Sequence, residues 1–235
     1  MESGTTPVPR HIDYPWMSVE SWHRMHAEDM SVADQGGVDL LFVGDSITAL
    51  WEPQVWQEYF GRYRAANFGI GGDHTGNLLW RLQDARAGQL HPKLVVLLIG
   101  VNNFGLLHED VPQVEAGVAA CVARLRQLYP GARILLNGVL PHEQAAASPA
   151  RAEVRSLNAR LALLADGLHV FYHDYGPALL EPDDSIAPQT MPDFLHPSPA
   201  GYRRWAAVMG PDIDALMADA PLPFAEAAGP RDATH

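Results

Sequence analysis

Five short apolar runs, each followed by a stretch with helical spacing, constrain the fold of this chain more than any other feature of its sequence. The runs are "VDLLFVG" at 38–44, "RAANFGI" at 64–70, "KLVVLLIG" at 93–100, "RILLNGV" at 133–139 and "HVFYHDY" at 169–175. The first, third and fourth are almost continuously apolar, as parallel strands covered on both faces must be. Helices are expected at about 50–60, 74–87, 110–129, 148–166 and 199–217, with another at 18–30. Strand and helix alternate, so the pattern predicts an α/β fold with a parallel sheet between two helical layers.

No repeat or low-complexity block interrupts residues 15–217, and 235 residues with 47% hydrophobic content suffice for one core. A single domain is expected over 1–217. The Pro/Ala-rich tail 218–235 lacks periodicity and is expected to be poorly ordered.

Composition excludes several partners. With 28 acidic and 16 basic residues the net charge is −12, and the basic residues are scattered, so no nucleic acid is expected to bind. The amino terminus, "MESGTTPVPRHIDYPWM", has no basic region followed by an apolar run, and no later segment is apolar over a membrane's width. No membrane insertion and a cytoplasmic location are therefore expected. The single cysteine, Cys121, excludes an internal disulfide and reads as packing on a helix.

In an open parallel sheet, ligands sit beyond the carboxyl ends of the strands. The first strand ends in Gly44, Asp45 and Ser46, the second in "NFGIGGDHTG", and the third in "GVNN" with Asn102 and Asn103. A loop after the last strand, "MPDFLHPSPAGY", holds Asp193 and His196. All these polar groups fall on one rim. Ser46 is a nucleophile once a base takes its proton, His196 is the natural base, and Asp193 can fix the imidazole tautomer. The N–H groups of Ser46 and Gly72 and the Asn102 amide can converge on a tetrahedral oxyanion. Ser46 also opens a helix, so it is expected to cap that helix as well.

Other motifs fail. "GIGGDHTG" breaks the dinucleotide fingerprint because His74 stands at its last glycine position, and no phosphate-cradling GxxxxGK[ST] occurs. The pairs His23/His26 and His169/His173 lack a third ligand of clear spacing, so no metal site is expected. The tryptophans Trp16, Trp22, Trp51, Trp56, Trp80 and Trp205 are read mostly as core or helix-face residues, with some able to line a groove.

"GDSIT", "NFGIGGD", "GVNN" and "DFLHPSPAGY" resemble, in order and spacing, the four motif blocks of the SGNH (GDSL-type) hydrolases. Within that superfamily, residues 38 to 208 look most like the catalytic alpha subunits of intracellular platelet-activating factor acetylhydrolase and their bacterial relatives. The resemblance implies Ser46, Asp193 and His196 as a catalytic triad and Ser46, Gly72 and Asn102 as an oxyanion hole. It also implies a flavodoxin-like three-layer α/β/α sandwich with five-stranded order 2-1-3-4-5, no metal or cofactor, a small-molecule ester as substrate and a homodimer by analogy.

The chain departs from its relatives at Ile47, Val101, Asn103 and His74. From adjacency and resemblance, Ile47, Val101 and Leu195 are expected to wall the substrate pocket and leave little room for a long acyl chain, so that acetyl or propionyl esters are preferred. His74, beside the oxyanion glycine, is expected to affect substrate choice or pH response. Carbohydrate O-acetylesterase is the alternative within the same chemistry. A non-catalytic binding or assembly subunit is the alternative outside it, and it predicts a missing member in the catalytic set.

Overall fold

The computed structural model describes residues 3–218. Five parallel strands, β1 (Leu40–Gly44), β2 (Ala65–Gly69), β3 (Leu94–Leu98), β4 (Arg133–Asn137) and β5 (Val170–His173), form one sheet in the order β2-β1-β3-β4-β5. β1 and β3 are buried along their whole length, which is why they read as unbroken apolar runs. Gly44 pairs with Gly69 on one side and Leu98 on the other, so three strands end level with one another. Strand order reverses at β1, and the loops beyond β1, β2 and β3 open there onto one rim.

The helices are α1 (Val19–Gln35), α2 (Ser46–Ala49), α3 (Pro53–Phe60), α4 (Thr75–Arg81), α5 (Val101–Leu107), α6 (Val111–Leu128), α7 (Pro149–Leu161) and α8 (Pro199–Met217). α3 packs on α8, and α6 packs between α4 and α7. Side-chain caps start most of them: Ser18 for α1, Glu52 for α3, Asp110 for α6, Ser148 for α7 and Ser198 for α8. The helix expected at 50–60 is α3 and starts later, at Pro53, where Glu52 caps it; the short α2 precedes it as a separate helix. The helix expected at 74–87 ends at Arg81, and α1 runs on to Gln35, where Gly36 turns the chain at φ 66°. α5 was not expected, since Asn102, Asn103 and Gly105 are weak helix formers.

Residues 3–17 form a strap across α4. The Val8 N–H donates to Gly76 O at 3.1 Å, Asn77 Nδ2 donates to Val8 O at 3.0 Å, and Thr75 Oγ1 donates to Gly4 O at 2.8 Å. Trp22, Trp51 and Trp205 are buried, and so is Cys121, whose thiol is pushed up far by burial. No helix among the described residues is long and apolar enough to cross a membrane. From residue 219 onward the expected tail lies outside the described residues.

Candidate active site

Ser46 sits at the turn from β1 into α2. Glycine is required just before it, since a Cβ on Gly44 would lie 2.2 Å from Leu98 O. The cap of α2 is Asp45, whose Oδ1 accepts the Ile47 N–H at 2.9 Å. Ser46 is therefore the first helical residue and not the cap, because the Asp45 carboxylate already serves the helix N–H. Its hydroxyl is left to meet His196 Nε2 at 2.8 Å.

His196 Nδ1 lies 2.6 Å from Asp193 Oδ2. Asp193 Oδ1 also accepts the backbone N–H groups of Leu195 and His196, at 3.0 and 2.7 Å. Partial burial works to raise the Asp193 carboxyl, but the bonds from the His196 ring and these two amides outweigh it and hold it below the usual carboxylate range. The turn between the two residues passes through Phe194 at φ 57°, a left-handed conformation that bulky residues rarely adopt. Two backbone bonds pin it there: Phe194 N–H donates to Met191 O, and Glu143 N–H donates to Phe194 O.

The loop after β2 approaches Ser46 from the other side. Gly72 has φ 73°, and a Cβ there would lie 2.2 Å from Trp16 Cη2, so only glycine fits this backbone. Asn102 Nδ2 donates to Asp73 O at 2.9 Å, which joins α5 to the same loop. Asp73 is fully buried, with Oδ1 accepting from Trp22 Nε1 at 2.6 Å and Oδ2 from Arg81 Nε at 2.8 Å. Arg81 also donates to Phe68 O and Gly44 O, so one guanidinium ties the ends of β1 and β2 to the glycine loop.

A cleft of about 540 Å³ opens beside these groups. It is lined by Ser46, Gly72, Asn102, Leu195 and His196 together with Trp16, Met17, Met25, Leu50 and Leu106. The structure thus brings the five expected triad and oxyanion residues to one rim, with Leu195 beside them. Ile47 and Val101 do not line the cleft: they are 1% and 7% exposed and pack into the core, because the turn of α2 and the start of α5 direct them inward. The steric reason for a short acyl chain falls with them. His74 is likewise turned away. Its Nδ1 accepts the Gly76 N–H at 3.1 Å as the cap of α4, and burial, with Arg10 and His11 nearby, lowers its pKa to about 4. It is a neutral cap near pH 7 and does not border the main cleft.

Asn103 is also structural. It is fully buried, its Oδ1 accepts the Thr75 N–H, and its Nδ2 donates to Thr75 Oγ1 and Glu109 Oε2. The sequence reading missed Met17, Met25 and Leu106 as cleft residues, along with the whole strap. Trp16 alone had a signal, as a tryptophan in a proline-flanked, non-periodic stretch.

The sequence pattern of the GDSL-like Lipase/Acylhydrolase family matches residues 42–204, a segment that holds Ser46, Gly72, Asn102, Asp193 and His196. The chain belongs to the GDSL-like lipase/acylhydrolase family. It is 34% identical to the human platelet-activating factor acetylhydrolase IB subunit alpha1 over 77% of this chain and 78% of that one. Among solved structures, a GDSL-like lipase from Bacteroides thetaiotaomicron superposes with a TM-score of 0.65 at 20% identity, covering 84% of this chain and 97% of that one. A carbohydrate acetylesterase from Sinorhizobium meliloti superposes with a TM-score of 0.60 at 18% identity, covering 76% and 99%. These two likenesses concern the fold, whereas the family membership makes this GDSL-like chain a hydrolase of the esterase and acylhydrolase class.

Proposed function

We propose that this chain is a serine esterase that removes acetyl-type groups from apolar alcohols through an acyl-enzyme on Ser46. The observation that carries this reading is the unbroken line from Ser46 Oγ through the His196 ring to Asp193, set in the wall of an apolar cleft. Ser46 Oγ attacks the ester carbonyl while its proton passes to His196 Nε2, and Asp193 holds the ring with its proton on Nδ1. The negative charge forming on the carbonyl oxygen is received by the Ser46 and Gly72 N–H groups and the Asn102 amide. His196 then returns the proton to the departing alkoxide. A water molecule, deprotonated by the same ring, releases the acid from Ser46.

The acetyl preference is supported by the relatives, which are named as subunits of an acetylhydrolase. The apolar alcohol is supported by the lining: apart from Ser46, Asn102 and His196, the only polar side-chain atom among the lining residues is the indole nitrogen of Trp16. An acetylated sugar would carry hydroxyls into a wall with almost nothing to bond them, at a desolvation cost for each. That weighs against the carbohydrate reading, which draws on fold likeness alone. A non-catalytic subunit would show a broken set, and here the bonded line is continuous.

Hydrolysis of p-nitrophenyl esters from acetyl to octanoyl, with Ser46→Ala alongside, tests the chemistry. Acetate release from an alkyl-glycerol acetate and from acetylated xylan tests the alcohol. We expect short-chain activity that Ser46→Ala abolishes, and faster turnover of the alkyl ester. Undiminished activity in Ser46→Ala overturns the nucleophile, and faster release from xylan overturns the alcohol.

A further inference from the structure

Arg10 lies on the strap, far in sequence from every motif block, yet it is 4% exposed and reaches under the glycine loop. Its Nη2 donates to Gly71 O at 3.0 Å. That carbonyl and the Gly72 N–H are the two ends of one peptide unit, which is planar and nearly rigid. A donor on the oxygen therefore sets where the N–H points. A charged donor also draws electron density toward the oxygen, which leaves the N–H at the other end a stronger donor.

Arg10 forms a long, buried ion pair with Asp73 but makes no hydrogen bond to it. Asp73 Oδ1 is 3.9 Å from Nη2, and both Asp73 oxygens already accept from Trp22 and Arg81. Among the described residues Arg10 Nε and Nη1 have no hydrogen-bond partner, and Arg10 lines a cavity of about 10 Å³ together with Gly72, His74 and Asn77. The guanidinium is held in place by aromatic rings, with its carbon 5.3 Å from the Tyr14 ring centre and 5.5 Å from that of Trp16. Tyr14 and Trp16 are themselves stacked at 4.8 Å. Arg10 Nη2 would be only 2.8 Å from a Cβ on Gly72, so the positive charge lies directly beside the oxyanion donor.

We propose that Arg10 is a positioning residue for the oxyanion hole: through the Gly71 carbonyl it orients and polarises the peptide whose N–H, at Gly72, receives the developing negative charge. This rests on the serine esterase reading above. Such a residue acts on the transition state and little on the bound substrate, so its loss lowers kcat and leaves KM nearly unchanged. Binding of a boronic acid, which forms a tetrahedral anion on the serine, is weakened in parallel.

The test compares wild type, Arg10→Met, Arg10→Lys and Ser46→Ala on p-nitrophenyl acetate, with phenylboronic acid as the anion probe. For Arg10→Met we expect kcat to fall by about 10- to 100-fold, below the ~10²–10³ for loss of a donor itself. KM is expected to stay within about threefold and the boronic acid affinity to fall with kcat. Arg10→Lys, which keeps a cation, is expected to recover much of the loss. If Arg10→Met does not fold, Arg10→Gln takes its place. A folded neutral variant with kcat within about twofold of wild type, or one in which boronic acid affinity is unchanged, overturns the proposal. An inactive wild type, or an active Ser46→Ala, overturns the esterase reading instead.

Discussion

Tyr202 Oη donates to the backbone carbonyl of Ile47 at 2.7 Å, across 155 positions of sequence. Tyr202 lies in the first turn of α8, just beyond His196, and Ile47 is the residue after Ser46. This bond joins the two parts of the chain that must meet for serine and histidine to face each other. Tyr202→Phe leaves the ring packed against Trp51 and removes only the bond. The expected outcome is a loss of about 1 kcal/mol in stability, since a buried carbonyl loses its donor. A fall of a fewfold in kcat should accompany it, as Ser46 and His196 drift in relative position. Urea denaturation and steady-state kinetics on the same preparation check both.

Asp193 holds the His196 ring and, through two amides, the turn that carries it. Asp193→Asn is expected to lower kcat by about 10²-fold or more, because an amide favours the wrong imidazole tautomer. The carboxyl is held below its ordinary range. Its bonds therefore stabilise the loop above the ordinary carboxylate pKa and are lost only as pH falls through the lower, folded value. A pH–rate profile should accordingly show no step in the ordinary carboxylate range that Asp193→Asn removes.

Asp45 behaves in the opposite way. Burial lifts its carboxyl to about 7 against the opposing bond from the Ile47 N–H, and among the described residues its Oδ2 has no hydrogen-bond partner. The folded protein thus holds this proton more tightly than the unfolded chain does, so the contribution of Asp45 to stability is full below the ordinary carboxylate pKa and declines as pH rises to about 7. Asp45→Asn keeps an oxygen for the Ile47 N–H and has no proton to lose. It should match wild type in melting temperature near pH 4 and exceed it near pH 8, by at least about 1 kcal/mol in stability. Thermal denaturation across that range decides it.

Ile47 and Trp16 are expected to separate stability from specificity. Ile47→Ala opens a hole in the core and should cost about 2–5 kcal/mol while the acyl-chain profile keeps its shape. Trp16 is 55% exposed and lines the cleft. Trp16→Ala should cost less stability than Ile47→Ala and raise KM for esters of bulky apolar alcohols, with some fall in kcat because Trp16 also packs on the Arg10 guanidinium. Denaturation curves and a paired substrate series distinguish the two effects.

The sequence by itself determined the layered architecture. Apolar runs too short for a buried helix and bounded by turn residues fit strands covered on both faces, and a crossover, usually a helix, must intervene where parallel strands succeed one another. Ser46, Gly72 and Asn102 follow closely on the ends of apolar runs, so their rim was legible from position along the chain, whereas Asp193 and His196 lie well beyond β5 in the loop before the last helix and were read from that loop and its motif. Strand order needed the family resemblance, since local patterning does not say which strands are neighbours. Only the tertiary structure decided which of two adjacent residues faces the cleft. Ile47 and Val101 turn into the core, Asn103 knits α5 to Thr75, and His74 caps a helix, because a turn or a short helix rotates successive side chains by amounts that sequence patterns leave open. The strap was the least legible part of all. Arg10 and Trp16 have no periodicity to announce them, and their roles arise from contacts with Gly71 and Gly72 about sixty positions away, which only the folded chain brings about.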